Sequence, residues 1–377
     1  MLNIVMPPSN LDEKLDWLQL IRSKNVGPVT FYKLLHHFGS AKAALNALPL
    51  KAQKSGRANP VFSRKKTEEE FARIEAFGAK LVALGEEIYP PLLAHIEDAP
   101  PLLQVLGNEK FLKKRTIAIV GARNASSNGQ SLAKELAQDL GNYGFLIASG
   151  LARGIDTAAH EGAINTGTIA AIAGGLDVVY PPENSALQQA IIDKGVLISE
   201  MPMGSQPQAR HFPRRNRLVS GISRGVVVIE ASLKSGSMIT ARLAQEQGRE
   251  TMALPGSPQD PRSRGGNFLI KQGATLVECA EDIMETLERP FDPPPHKRVP
   301  IQPSEPLFKE ATQKNITVNA DDARLSVKEL LGPSAVYVDD LLRQCQLSPT
   351  ELNGILLEFE LAGEIEWQPG NRVALIS

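Results

Sequence analysis

A succession of short apolar runs, separated by helix-length segments, occupies the middle of the chain and leaves few folds open. The runs are TIAIVGA (116–122), FLIASG (145–150), TIAAIAGG (168–175), VLISE (196–200), GVVVIEAS (225–232) and ETMALPGS (250–257), with amphipathic stretches such as SLAKELAQDLGNYG and SMITARLAQEQGR between them. Strands that are apolar on both faces need cover on both faces, and helical crossovers between parallel strands supply it. The expectation for about 100–289 is therefore a doubly wound α/β domain around a mostly parallel sheet.

The flanks read differently. From Leu11 to Leu50, apolar residues recur at helical spacing, with breaks at Gly27-Pro28 and Gly39-Ser40, so short helices are expected. A basic stretch, Lys51 to Lys66, follows. RPFDPPPHKRVPIQPSEP (289–306) continues neither helix nor sheet and reads as a linker. VYVDDLLRQC, SPTELNGILLEFELAG and a hairpin turning at Pro369-Gly370-Asn371 give helix, helix and hairpin, similar to a winged helix. The expected domains are 1–66 (helices and basic connector), 67–288 (α/β), 289–324 (linker) and 325–377 (winged helix).

Charge placement carries the functional argument, because the formal net charge of the chain is only -1 and a polyanion has to meet a local patch. RHFPRRNRLVSGIS (210–223) holds Arg210, Arg214, Arg215 and Arg217, and no acid occurs from Ser205 through Ile229. Pro213 suits a helix start, and arginines so closely spaced fan out rather than share one face. In a doubly wound sheet, ligands bind beyond the carboxyl ends of the strands. Arg123 emerges there. So does LKSGS, where Lys234, Ser235, Gly236 and Ser237 bring an ammonium, hydroxyls and helix-start amides to one point. An ordinary serine N-cap is the competing reading of that turn. Phe212 is the candidate surface for stacking a base, and a core aromatic is its alternative.

Other chemistries lose support. The chain has no GxGxxG, GxxxxGK[ST] or HExxH pattern, and GISRG (221–225) precedes an apolar run rather than following one, so it does not resemble a GxSxG nucleophile elbow. Asp156 and His160, four residues apart, allow a carboxylate to orient an imidazole, although a first-turn aspartate with a histidine one turn on is the plainer reading. Cys279 and Cys345 make neither a disulfide framework nor a thiolate zinc site, so a reducing, cytoplasmic setting is expected. There is no leader-like start and no run approaching about 18 apolar residues, so neither secretion nor a membrane span is expected.

IAIVGARNASSNGQSLAKELA, SGLARGIDTAAHEGA, GGLDVVYPPEN, ISEMPMGSQPQARHFPRRNRLVSGIS and VVVIEASLKSGSMITARLAQEQGRETMALPGS together resemble the DNA-processing protein A (DprA or Smf) family, colinearly from about Leu102 to Leu287. The resemblance implies an extended Rossmann-like sheet, a SAM-like N-terminal domain and a C-terminal winged helix. It also implies binding of single-stranded DNA without strong sequence preference, homodimers, and loading of a RecA-type recombinase in natural transformation. Carried over by motif, the DNA-binding residues are Gly121, Arg123, Arg214, Asn216, Arg217, Lys234, Ser235, Gly236 and Ser237, to which the residue reading adds Phe212 and Arg215. It brings no catalytic residue, metal or cofactor. Asn128 stands where the family often has an aromatic, so stacking there is not expected.

Two further readings bear on function. A Rossmann-like nucleoside monophosphate phosphoribohydrolase carries a glutamate in a PGGxGTxxE motif, and EASLKSGSMITARLAQE has none in its first helical turn. From Leu325 onward, Lys328, Arg343 and Arg372 face Glu329, Asp339, Asp340, Glu351, Glu358, Glu360, Glu364 and Glu366, so this domain is expected to bind protein or the chain's own basic surface rather than a phosphate backbone. NVGPVT is similar to a helix-hairpin-helix motif, but Pro28-Val29 breaks the usual glycine spacing, and an architectural role is expected.

Overall fold

The computed structural model describes residues 6–54, 61–288, 320–331, 335–345, 347–368 and 371–376, and the chain divides into two compact units. One unit runs to Leu15 and resumes at Lys65 through the α/β region. Its sheet comprises β1 (Lys80–Ala83), β2 (Leu102–Gly107), β3 (Thr116–Gly121), β4 (Leu146–Ser149), β5 (Thr168–Ala171), β6 (Val196–Ser199), β7 (Gly225–Ile229), β8 (Glu250–Ala253) and β9 (Thr275–Leu276). Their order is β1-β2-β6-β5-β4-β3-β7-β8-β9. Pairing is parallel from β6 to β9, and β2 and β1 extend the sheet antiparallel.

The apolar runs supply β3 to β8, and β4 to β7 are buried along their whole length. Helices Ser127–Asn142, Ile155–Ala163 and Ala280–Glu288 close one core on these strands through Leu136, Leu140, Ile155, Ile283 and Leu287. From β3 the chain winds outward through β4, β5 and β6, then returns to lay β7 on the other side of β3. That reversal makes the β3/β7 junction the topological switch point, where the connections diverge and open a crevice.

The second unit takes Asp16–Arg64 and the chain from Pro295 onward. In its N-terminal part, helices Pro28–Phe38 and Ala41–Lys54 follow Leu11–Arg22, and Trp17 meets Phe31 edge to face with centroids 5.2 Å apart. Pro28 opens its helix and Gly39, at φ +78, ends it in the left-handed region that glycine adopts without strain. The C-terminal part is a winged helix. Helices Ala320–Leu330, Val338–Cys345 and Pro349–Leu361 pack with β10 (Val336–Tyr337), β11 (Ile365–Gln368) and β12 (Arg372–Leu375), ordered β10-β12-β11, around Val327, Leu341, Leu352, Leu356, Phe359 and Val373. A full capping box at Ser348 and Glu351 starts the helix Pro349–Leu361. The expected linker lies outside the described residues as far as 319, and helix Ala320–Leu330 takes the remainder of 289–324. The turn at Pro369-Gly370 is also outside them. Among the described residues, no helix is long and apolar enough to cross a membrane.

Candidate nucleic-acid interface

A crevice of about 490 Å³ opens at the switch point, lined among others by Arg123, Asn124, Asp156, Arg215, Ser235 and Ser237. The loops on its two sides are clamped together. Ser126 caps helix Ser127–Asn142, its Oγ accepting from Gly129 N at 2.9 Å, while Glu230, just past β7, accepts from Ser126 N at 2.8 Å and from the Ser126 hydroxyl. A carboxylate at a helix N-terminus is favourably placed, which helps Glu230 hold a φ of +49.

The two candidate glycines do different things. A Cβ at Gly121 would lie 1.9 Å from Ile229 O, so this glycine lets β3 and β7 approach each other, and its backbone lines the crevice. A Cβ at Gly236 meets nothing within 4 Å. Ser235 occupies the N-cap of helix Gly236–Glu246 without making a side-chain cap; its Oγ lies 2.7 Å from Ser237 Oγ instead. Met238 N donates to Ser235 O at 3.2 Å, which leaves the N–H groups of Gly236 and Ser237 at the helix start, with exposed Lys234 just before Ser235.

The arginine stretch is where the structure departs most from expectation. Helix His211–Gly221 enters at the rim and then runs beneath the surface, so from Arg215 onward all its residues are buried. Arg215 Nη1 donates to Ala171 O at 2.9 Å and to Gly150 O, and its Nε donates to Asn216 Oδ1 at 3.2 Å. Asn216 in turn donates to Gly236 O at 3.2 Å. Arg217, 6% exposed, donates to Asp98 O at 2.6 Å and pairs with the Glu200 carboxylate. Arg215 and Asn216 thus form the floor of the crevice and still line it, whereas Arg217 is held beneath by Asp98 and Glu200. Arg214 is half exposed, 3.6 Å from Glu200, and Arg210 is exposed. The acids that neutralise the stretch come from Glu200 and Asp98, on other loops, which is why the local sequence looks uncompensated.

Asp156 and His160 do not pair. Asp156 accepts from Gly150 N at 3.1 Å and Ala152 N at 3.3 Å; burial raises its pKa, and the nearby Arg215 charge opposes the rise. Thr168 donates its hydroxyl proton to Ile147 O, so at 2.7 Å it accepts from His160 Nδ1–H. Burial, reinforced by the Arg215 charge, pushes His160 down to about 3. A neutral, enclosed imidazole of this kind is a packing group rather than an acid or base at neutral pH.

On the other side of Arg123 lies an aromatic surface. The Arg123 guanidinium stands 5.0 Å from the centroid of Phe212, and Tyr180 lies against the same ring at 5.7 Å and 52°. A second cavity of about 220 Å³ adjoins them, with Ile172, Ala173 and Pro207 in its walls. Sequence reasoning missed Tyr180, although an exposed aromatic just past a β5-side loop was its signal. Arg262 was missed too: it lines the crevice while paired with Asp260 at 2.8 Å. Among the described residues no group of three metal-ligating side chains occurs.

Residues 80–288 match the family model described as DNA recombination-mediator protein A, 11–72 match a DprA-like N-terminal HHH domain, and 310–371 match a DprA winged helix domain. The N-terminal match includes the NVGPVT turn, in which Pro28-Val29 departs from the usual glycine spacing. The chain is 38% identical over 320 residues to Protein Smf of Escherichia coli, covering 83% of this chain and 82% of that one. The X-ray structure of DNA processing protein A from Streptococcus pneumoniae superposes with a TM-score of 0.63 at 35% identity, covering 74% of this chain and 98% of that one. A Helicobacter pylori DNA processing protein A, whose structure concerns its single-stranded DNA binding mode, superposes with a TM-score of 0.52 at 32% identity, covering 55% and 95%.

Proposed function

This chain belongs to the DNA recombination-mediator protein A family, and on that premise we propose that its switch-point rim holds single-stranded DNA without strong sequence preference. The observation that carries the reading is convergence: Arg123, over the Phe212 ring, lines one crevice with the uncapped helix start at Ser235, Gly236 and Ser237, and exposed Lys234 immediately precedes that turn. Among the described residues neither Arg123 nor Lys234 has a carboxylate partner. Phosphates meet Arg123, Arg214, Lys234 and the first-turn amides, while unpaired bases stack on Phe212 and Tyr180. Duplex bases are already stacked and gain nothing from the aromatic side, so single strands are preferred. The single-strand binding of the Helicobacter pylori relative supports the same reading.

The finer role follows from the family resemblance: a cytoplasmic homodimer that protects incoming strands and loads a RecA-type recombinase during transformation or recombination. Anisotropy titration of labelled single strands and duplexes, across a salt series, tests the core of it. With about four to six phosphates neutralised per protomer, log affinity falls with log salt at a slope near -3 to -4. Equal affinity in the Arg123→Ala/Lys234→Ala variant, or a flat salt response, refutes the assignment. Turnover of AMP by the purified protein would instead favour the phosphoribohydrolase reading.

A further inference from the structure

Helix Pro349–Leu361 stands where a winged helix places its recognition helix, yet it carries Glu351, Glu358 and Glu360 and no base. A phosphate backbone repels such a face. Within its own compact unit, the helix has another partner. Leu352, Leu356 and Phe359 point into the winged-helix core, whereas Leu357 is buried without belonging to that core. One turn on, Glu360 Oε2 accepts from Lys33 Nζ at 3.1 Å and from Trp367 Nε1 at 3.0 Å, and its Oε1 accepts from Thr30 Oγ1 at 3.3 Å. The Lys33 ammonium also sits 3.9 Å from the centroid of the Trp367 ring. Asn25 Nδ2 donates to Leu361 O at 3.0 Å, and a Cβ on Gly354 would come 3.7 Å from His37 Cε1. Glu358 and Glu364 pair with Arg324 and Lys328 inside the winged helix, while Glu360 reaches Lys33 and Thr30 of the N-terminal helices.

We propose that the winged-helix domain is a protein-docking module whose partner is in cis: its acidic helix closes on the first turns of helix Pro28–Phe38, and the Lys33–Glu360 pair is the latch. The occupant is chosen by charge and fit. Lys33, Thr30 and Asn25 offer an ammonium, a hydroxyl and an amide in one patch, and the acidic helix brings a carboxylate and a terminal carbonyl to them. The winged helix in this state does not read DNA, and reversing one latch charge frees it. This inference is independent of the rim crevice and stands whether or not that site binds DNA.

Zero-length carbodiimide coupling of the full chain, with peptide mapping, tests it. The wild type is expected to give a Lys33–Glu360 cross-link, with the Lys14–Glu86 ion pair as an internal control. Lys33→Glu and Glu360→Lys each abolish the cross-link, and the double charge swap restores it. In an equal mixture of light and heavy isotope-labelled chains, the linked peptides are expected to be all light or all heavy. Amide exchange over 28–38 accelerates roughly two- to fivefold in Glu360→Lys, the range an ion pair of this exposure supports. Coupling at Lys14–Glu86 without coupling at Lys33–Glu360, or mixed-isotope pairs, overturns the proposal.

Discussion

Arg123 holds its guanidinium carbon 5.0 Å from the centroid of the Phe212 ring, joining the loop after β3 to the helix after β6. The cation on this side chain faces a ring rather than a carboxylate, so it keeps its charge available while its position is set. A base that slides between Arg123, Phe212 and Tyr180 exchanges one π contact for others at little cost. We expect Phe212→Ala to weaken single-strand binding by about 1–3 kcal/mol, the range for losing one stacked base, with little change in salt slope. Arg123→Ala and Lys234→Ala each lower the magnitude of that slope by roughly 0.7, one phosphate's share. Anisotropy titrations at several salt concentrations separate the two signatures, and a slope change in Phe212→Ala contradicts the stacking role.

Arg217 yields the opposite expectation. Its charge neutralises Glu200, whose side chain is 9% exposed, and truncating it leaves a buried carboxylate without its main partner. Arg217→Ala is expected to cost about 3–5 kcal/mol of stability, read as a lowered denaturation midpoint. Arg214→Ala, at the exposed end of the same helix, leaves the midpoint within about 0.5 kcal/mol and weakens DNA binding instead. Should Arg217→Ala retain wild-type stability and lose binding, the buried-scaffold assignment is wrong.

The glycines separate in the same way. Gly121→Ala drives a methyl into Ile229 O and the Ile155 side chain, and overpacking of that kind costs about 1–3 kcal/mol or more. Gly236→Ala fills open space at a helix start and leaves stability unchanged or slightly raised, yet places a methyl where a phosphate approaches. Paired melts and binding curves for the two variants check this, and a destabilised Gly236→Ala alongside a stable Gly121→Ala would reverse the assignment.

His160 predicts a pH dependence. Its pKa in the fold is about 3, below the roughly 6.5 of an exposed histidine, so the unfolded chain binds its proton first as pH falls. The stabilising contribution is complete above about pH 6.5 and declines by up to about 1.4 kcal/mol per pH unit down to about pH 3. Asp156, raised by burial, works in the opposite sense, with stability lost as pH rises through its folded pKa, so the comparison is with a variant rather than with theory. Denaturant titrations of wild type and His160→Gln between pH 7 and pH 4 are expected to converge as pH falls. Parallel pH profiles would show that His160 titrates normally.

Much of this architecture follows from local pattern alone. Strands buried on both faces have to be apolar throughout, so VVVI and its neighbours announce a covered parallel sheet. Likewise Pro28 and Gly39 bracket a helix because their backbones favour those positions. The short β1, with exposed Lys80 at its start, lacks such a pattern and escapes the same reading. The site divides along a physical line. That Arg123, Phe212 and the SGS turn lie beyond the strand ends was legible, because strand order and loop position follow from the winding. Which arginines face solvent was not, because Coulomb attraction acts through space: Glu200 and Asp98 reach Arg217 from loops distant in sequence. The residue types, and with them the elements and the rim, were settled by the chain itself. Only tertiary packing decided which charges were already spent inside the fold and which remained for a ligand.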